Sequence, residues 1–128
     1  MTPYDEIIDV FHSMFQSTEE LPESLERQFL LNAISEYELE LTPLNFDKIT
    51  LDFKSPLTYP QIQILGMLMY KNYLGWYLDR VLKLNNVIGR DIQLTGLANT
   101  KAQVNRAYEG LCEEIGIKMS KMKEIKFD

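Results

Sequence analysis

Apolar residues recur at spacings of three and four from the start of the chain, at Ile7, Ile8, Phe11, Met14 and Phe15, while Asp5, Glu6 and Asp9 fall on the other face. That period is the stripe of an amphipathic helix. Thr2 offers a capping hydroxyl, Pro3 suits the first helical position and Asp5 places an acid in the first turn, so the predicted helix opens at Thr2 and runs to about Gln16. A polar run, Ser17 to Glu20, makes the connection. Pro22 opens a second helical pattern through Leu25, Phe29, Leu30, Ala33, Ile34 and Tyr37, and the two helices are expected to pair as a hairpin over residues 1–37.

The period then changes. Tyr37, Leu39 and Leu41 alternate with Glu38 and Glu40, and Ile49, Leu51 and Phe53 alternate with Thr50 and Asp52, the two-residue repeat of extended chain. With Pro43 and the stretch from Asn45 to Lys48 as the turn, a short β-hairpin is predicted around residues 37–53, inside an extended segment spanning 38–57. Two isolated strands are marginally stable unless something packs on them, so the edge of this hairpin is expected to seek a neighbour.

Thr58 with Gln61 three residues later, and Pro60 in the first turn, is a capping-box signal for the longest helix, predicted over 58–85. Its apolar positions (Ile62, Ile64, Leu65, Leu68, Met69, Tyr73, Trp76, Tyr77, Leu82, Leu84) cover more than one stripe, so this helix must be contacted on several sides. Gly66 and Gly75 each cost about 1 kcal/mol against alanine and suit a close helix approach or ordinary tolerance. Residues 86–96 lack a helical period and include Gly89 and Gly96, which predicts a loop. Its aliphatics Val87, Ile88, Ile92 and Leu94 either fold back on the domain or dock on another subunit. A last helix over 97–123, with Val104, Tyr108, Leu111, Ile115, Met119 and Met122 on one stripe, fits an antiparallel partner for the long one. The expected fold class is mainly α, a single domain of 128 residues forming a small helical bundle on a long antiparallel helix pair.

Composition narrows the function. The apolar fraction of 45 % and charged fraction of 25 % are those of an ordinary globular chain, not of a disordered or membrane one. The most apolar run, Ile62 to Leu78, is interrupted by Gln63, Lys71 and Asn72, so no membrane span is expected. The first residues are acidic where a secretory signal would be basic, and retention in the cytoplasm is expected. The net charge of −6 disfavours general binding to nucleic acid through phosphates. Its distribution is uneven: residues 1–50 carry eleven acids and two bases, a net of −9, and residues 51–128 carry eight acids and eleven bases, a net of +3. Either the two parts are separate solvated faces, or the acidic part of one copy meets the basic part of the next.

Chemistry is sparse. Cys112 is the single cysteine and reads as a small buried hydrophobe, and His12 is the single histidine and reads as a solvated surface residue. There is no His or Cys pair, no calcium-loop spacing and no glycine pattern that would cradle phosphate. No catalytic residue, cofactor or metal is expected, and neither helical hairpin has the short basic second helix of a sequence-specific DNA reader.

The stretch Leu57-Thr58-Tyr59-Pro60-Gln61-Ile62-Gln63-Ile64-Leu65-Gly66-Met67-Leu68-Met69, the helix carrying Trp76, and Asp91-Ile92-Gln93-Leu94-Thr95-Gly96-Leu97-Ala98-Asn99 leading into the final helix resemble small neck proteins of tailed bacteriophages of low-GC Gram-positive bacteria. The resemblance covers about residues 22–123 and not the first twenty. It implies a structural virion protein, a head–tail connector or adaptor assembled in the host cytoplasm, whose copies, about twelve, form a ring in the neck between the portal protein and the tail, with DNA passing through. On this view the subunit or portal contacts are Leu39, Leu41, Ile49, Leu51 and Phe53 of the extended segment and Val87, Ile88, Ile92 and Leu94 of the loop. Lys118, Lys121 and Lys123 are a secondary contact, unless they only complement the negative end of the last helix. The alternative is a small regulatory adaptor or inhibitor that binds a host or phage protein through the apolar loop.

Overall fold

The structure, a computed structural model, describes residues 2–15, 21–88 and 95–127, with side chains described for 2–15, 21–80 and 102–123. Among the described residues the chain forms four helices, α1 (Pro3–Ser13), α2 (Glu23–Glu40), α3 (Tyr59–Ile88) and α4 (Thr95–Phe127), and one antiparallel hairpin, β1 (Phe46–Asp47) with β2 (Asp52–Phe53). The fold is mainly helical, as the periodicity predicts.

Local chemistry starts two of the helices where the sequence places them. In α1 the Thr2 hydroxyl accepts the Asp5 amide at 3.2 Å, while the Asp5 carboxylate accepts the Thr2 amide at 3.4 Å. In α3 the Gln61 carbonyl oxygen accepts the Thr58 amide at 2.8 Å and the Thr58 hydroxyl faces the Gln61 amide at 3.4 Å. Each reciprocal pair satisfies backbone donors that a helix start leaves open.

The long helix α3 is the centre of the molecule. α1, α2 and α4 each pack on it, and the core runs along it through Ile64, Leu65, Leu68 and Met69, all at most 2 % exposed. α1 contributes Ile7 and Phe11, α2 contributes Phe29, Leu30, Ala33, Ile34 and Tyr37, and α4 contributes Leu111, Ile115 and Met119. α1 and α2 meet chiefly through Phe11 with Phe29 and His12 with Glu26, so their main partner is α3 and not each other. The expected N-terminal helical pair is thus a pair of helices laid on a third. Gly66 shows why the approach of α1 is close, since a Cβ there would lie 2.3 Å from Val10 Cγ1. A Cβ at Gly75 would meet the Tyr108 ring of α4 at an ordinary 3.6 Å. With Leu68 and Lys71 lying beside Ile115 and Met119, that contact makes α3 and α4 antiparallel, as expected.

Two boundaries differ from the sequence reading. The alternation from Tyr37 to Leu41 is not strand: α2 continues to Glu40, and Leu41 caps it by donating its amide to the Tyr37 carbonyl at 2.8 Å. Tyr37 belongs to the helical stripe of Leu30, Ala33 and Ile34, and Leu39 simply faces solvent, so the period of two did not report a buried strand face. The hairpin instead pairs Phe46 with Phe53 and Asp47 with Asp52, with the two rings 4.7 Å apart. At the other end, Val87 and Ile88 form the last turn of α3, and α4 already begins at Thr95. Asparagine is tolerated inside a long helix at modest cost, so Asn85 and Asn86 did not end it.

Candidate protein-interaction surface

The Ile49 turn projects from the hairpin in a fixed shape. The Asp47 carboxylate accepts the Ile49 amide at 2.8 Å and the Thr50 amide at 3.4 Å, and the Asp47 carbonyl accepts the Leu51 amide at 2.8 Å. Those bonds hold the Asp47 carboxyl below the usual carboxylate range, the Ile49 amide contributing most. Leu51 has φ 58 and Asn45 φ 55, both left-handed, a conformation that costs a β-carbon-bearing residue on the order of 1 kcal/mol or more. Asparagine visits this region more readily than most residues, and the Asn45 carbonyl accepts the Lys54 amide at 3.0 Å. The outcome is that Ile49 stands 92 % exposed at the apex. Leu51 is half-buried, and Phe53 is half-buried against the core.

A groove of about 430 Å³ lies between α2 and α4, floored by α3. Glu36, Leu39 and Glu40 line it from α2, Leu68 and Lys71 from α3, and Cys112, Ile115, Gly116, Met119, Ser120 and Lys123 from α4. Two ion pairs cross it: Lys71 Nζ to Glu36 Oε1 at 3.0 Å and Lys123 Nζ to Glu40 Oε2 at 2.7 Å. Lys123, by its hydrogen bond first and its charge second, pulls the Glu40 carboxyl below its ordinary value. Leu39 stands at the rim, 84 % exposed. One turn before Cys112 on α4, burial raises the pKa of the Tyr108 phenol, and the neighbouring Cys112 adds to that. Cys112 itself is half-buried rather than sealed in the core.

Of the expected contact residues, Leu39 and Ile49 are thus presented to solvent, whereas Leu41 and Phe53 pack on the core. Ile92 and Leu94 lie outside the described residues, as do the side chains of Val87 and Ile88. Lys121 is exposed, and Lys118 stands 3.9 Å from Glu114 one turn back on its own helix. Lys123 docks on an acidic residue, but of its own chain. The unequal charge of the two halves is therefore partly neutralised inside the molecule, where α2 faces α3 and α4.

Comparisons with protein-family models, with curated proteins and with solved structures return no match.

Sequence reasoning missed the groove. Glu36 and Lys71 are 35 residues apart and Glu40 and Lys123 are 83 apart, so no local spacing marks them. It also missed the partner of His12, whose Nε2 lies 2.7 Å from Glu26 Oε1 across fourteen residues of sequence. Among the described residues no three His, Cys, Asp or Glu side chains are grouped to hold a metal ion, and no helix is long and apolar enough to cross a membrane.

Proposed function

We propose that this chain is a structural subunit that acts by assembling into a homo-oligomeric ring, and that the ring is a head–tail connector or adaptor in the neck of a tailed bacteriophage, between portal and tail. The observation that carries the reading is that, among the described residues, the two most exposed aliphatic side chains sit on unlike surfaces. Ile49 crowns a rigid turn, and Leu39 rims a groove. A two-fold dimer uses one patch twice, whereas a ring joins one patch to a different patch on the next copy. The resemblance of residues 57–69 and 91–99 to phage neck proteins supplies the setting, and with it the portal and tail proteins as neighbours and the virion as location. On this reading the protein carries out no catalysis and needs no cofactor.

Mass by light scattering, on the protein alone and mixed with the portal protein of the same virion, tests the proposal. A discrete species of high order, about twelve copies, with rings in negative stain, is the expected result. A monomer or dimer under both conditions would overturn it in favour of a small regulatory adaptor or inhibitor.

A further inference from the structure

We infer that the outer face of α4 is a self-association surface: two copies lay their α4 helices antiparallel across a two-fold axis at Ile117, and Glu113 of each meets Lys121 of the other. The contact goes beyond the assembly reading above. To the unlike patches that a ring joins, it adds one patch that pairs with itself.

α4 packs on the bundle by a single stripe. Leu111, Ile115 and Met119 are buried against α3, and at about 100° per residue Ile117 falls on the opposite side of the helix. There it is 52 % exposed, the large apolar side chain that α4 turns to solvent among the described residues. Glu113 and Lys121 stand four residues before and four after it, so the three form one i, i+4 ridge, and both charges are exposed. Their charges are free to pair outward. Lys123 is held by Glu40, and Lys118 lies 3.9 Å from Glu114, whereas neither Glu113 nor Lys121 has an ion-pair or hydrogen-bond partner among the described residues.

The order of charges names the occupant. α4 carries acids before Ile117, at Glu109, Glu113 and Glu114, and lysines after it, at Lys118, Lys121 and Lys123. A parallel pair of these helices would set like charge on like charge. An antiparallel pair sets the acidic half of each copy against the basic half of the other. Because Glu113 and Lys121 are equidistant from Ile117, one axis closes both ion pairs at once and stacks the two isoleucines between them. A slip of one turn in either direction would instead set Ile117 against a charge, Glu113 or Lys121 of the other copy, so register is fixed along with direction. Helices that pack by such ridges cross at about −50°. The contact is therefore short, below the roughly 1,200 Å² of a standard interface, and the pair is weak and concentration-dependent.

Sedimentation velocity over a range of concentrations, on the native protein, Glu113→Lys, Lys121→Glu and E113K/K121E, tests the pairing. Each single exchange brings like charges together and should weaken dimerisation about tenfold or more, and the double exchange should restore it to within about threefold of native. Ile117→Cys in a Cys112→Ser chain should give, on mild oxidation, a dimer joined 117 to 117. A thiol at exposed Gln103 in the same background should not, because antiparallel helices carry the two copies of that position far apart. A native chain that stays monomeric throughout, single exchanges without effect, a double exchange that fails to recover the dimer, or capture through position 103 would each overturn this contact. High-order rings seen by light scattering in that event leave the ring reading standing. A native dimer that the double exchange restores, but that never grows further with the portal protein, would overturn the ring and leave this contact.

Discussion

Replacing Gly66 by alanine measures how closely α1 lies on α3. The added Cβ would stand 2.3 Å from Val10 Cγ1, 2.7 Å from Val10 Cβ and 3.3 Å from the Phe11 amide nitrogen. A rotamer change of Val10 relieves the first contact but not the second, because a Cβ moves only with its backbone. The helix must therefore shift, and overpacking of this kind costs about 1–3 kcal/mol. Against this, alanine gains about 1 kcal/mol in helix propensity over glycine. The balance is a net loss of about 1 kcal/mol, or roughly 4 °C in Tm for a chain of this size. Urea denaturation followed by circular dichroism, on Gly66→Ala, Val10→Gly and the double variant, reads both the loss and its cause. Removing the Val10 side chain with its Cβ should make the alanine at 66 cheaper, giving a coupling of about 0.5 kcal/mol or more. A Gly66→Ala protein that gains the full propensity term and shows no coupling to Val10 would refute the seating of α1 described above.

Tyr37→Phe removes the acceptor for Gln61 Nε2, now 3.1 Å from the phenol oxygen in a part-buried setting, and should cost about 1 kcal/mol in the same denaturation assay. The Asp47 carboxyl is held low in the folded state by the Ile49 and Thr50 amides, so its contribution to the turn is fully present above the unfolded value of about 3.9 and is lost as pH falls through the lower native value. The amide shifts of Ile49 and Thr50 should therefore titrate together with a midpoint below that of an ordinary aspartate, and a midpoint at or above it would contradict the geometry. Lys123→Ala should return the Glu40 carboxyl toward its ordinary value in a carbon-detected titration while leaving Tm nearly unchanged, since both partners of that pair are exposed.

What was legible in the sequence follows the range of the interaction that decides it. The starts of α1 and α3 are set by reciprocal bonds between residues three apart, Thr2 with Asp5 and Thr58 with Gln61, and the sequence displays both. The buried stripe of α2 is equally visible in Phe29, Leu30, Ala33, Ile34 and Tyr37, because helical period and burial coincide there. Beyond Tyr37 they part company: Leu39 is apolar and exposed, and the alternating Glu38 and Glu40 mimic a strand that does not form. Ile49 was expected at a contact surface and stands bare at the apex, but the hairpin that lifts it pairs Phe46 with Phe53, a register no alternation announced. The groove was illegible because its ion pairs join distant parts of the chain, and only the packing of α2 and α4 on α3 brings them together.

The central position of α3 also governs the order of events during synthesis. α1 and α2 leave the ribosome before the helix on which both of them lie, and Phe11 waits for Tyr73, the ring it meets at 6.4 Å, to be made. At about 5–20 residues per second that interval is roughly 3–12 s. Throughout it Ile7 and Phe11, and from their own synthesis Phe29 and Leu30, have no finished surface to cover them. Until α3 emerges, the apolar faces of α1 and α2 have no core to enter, and codons that slow the ribosome between α2 and α3 would lengthen that exposure.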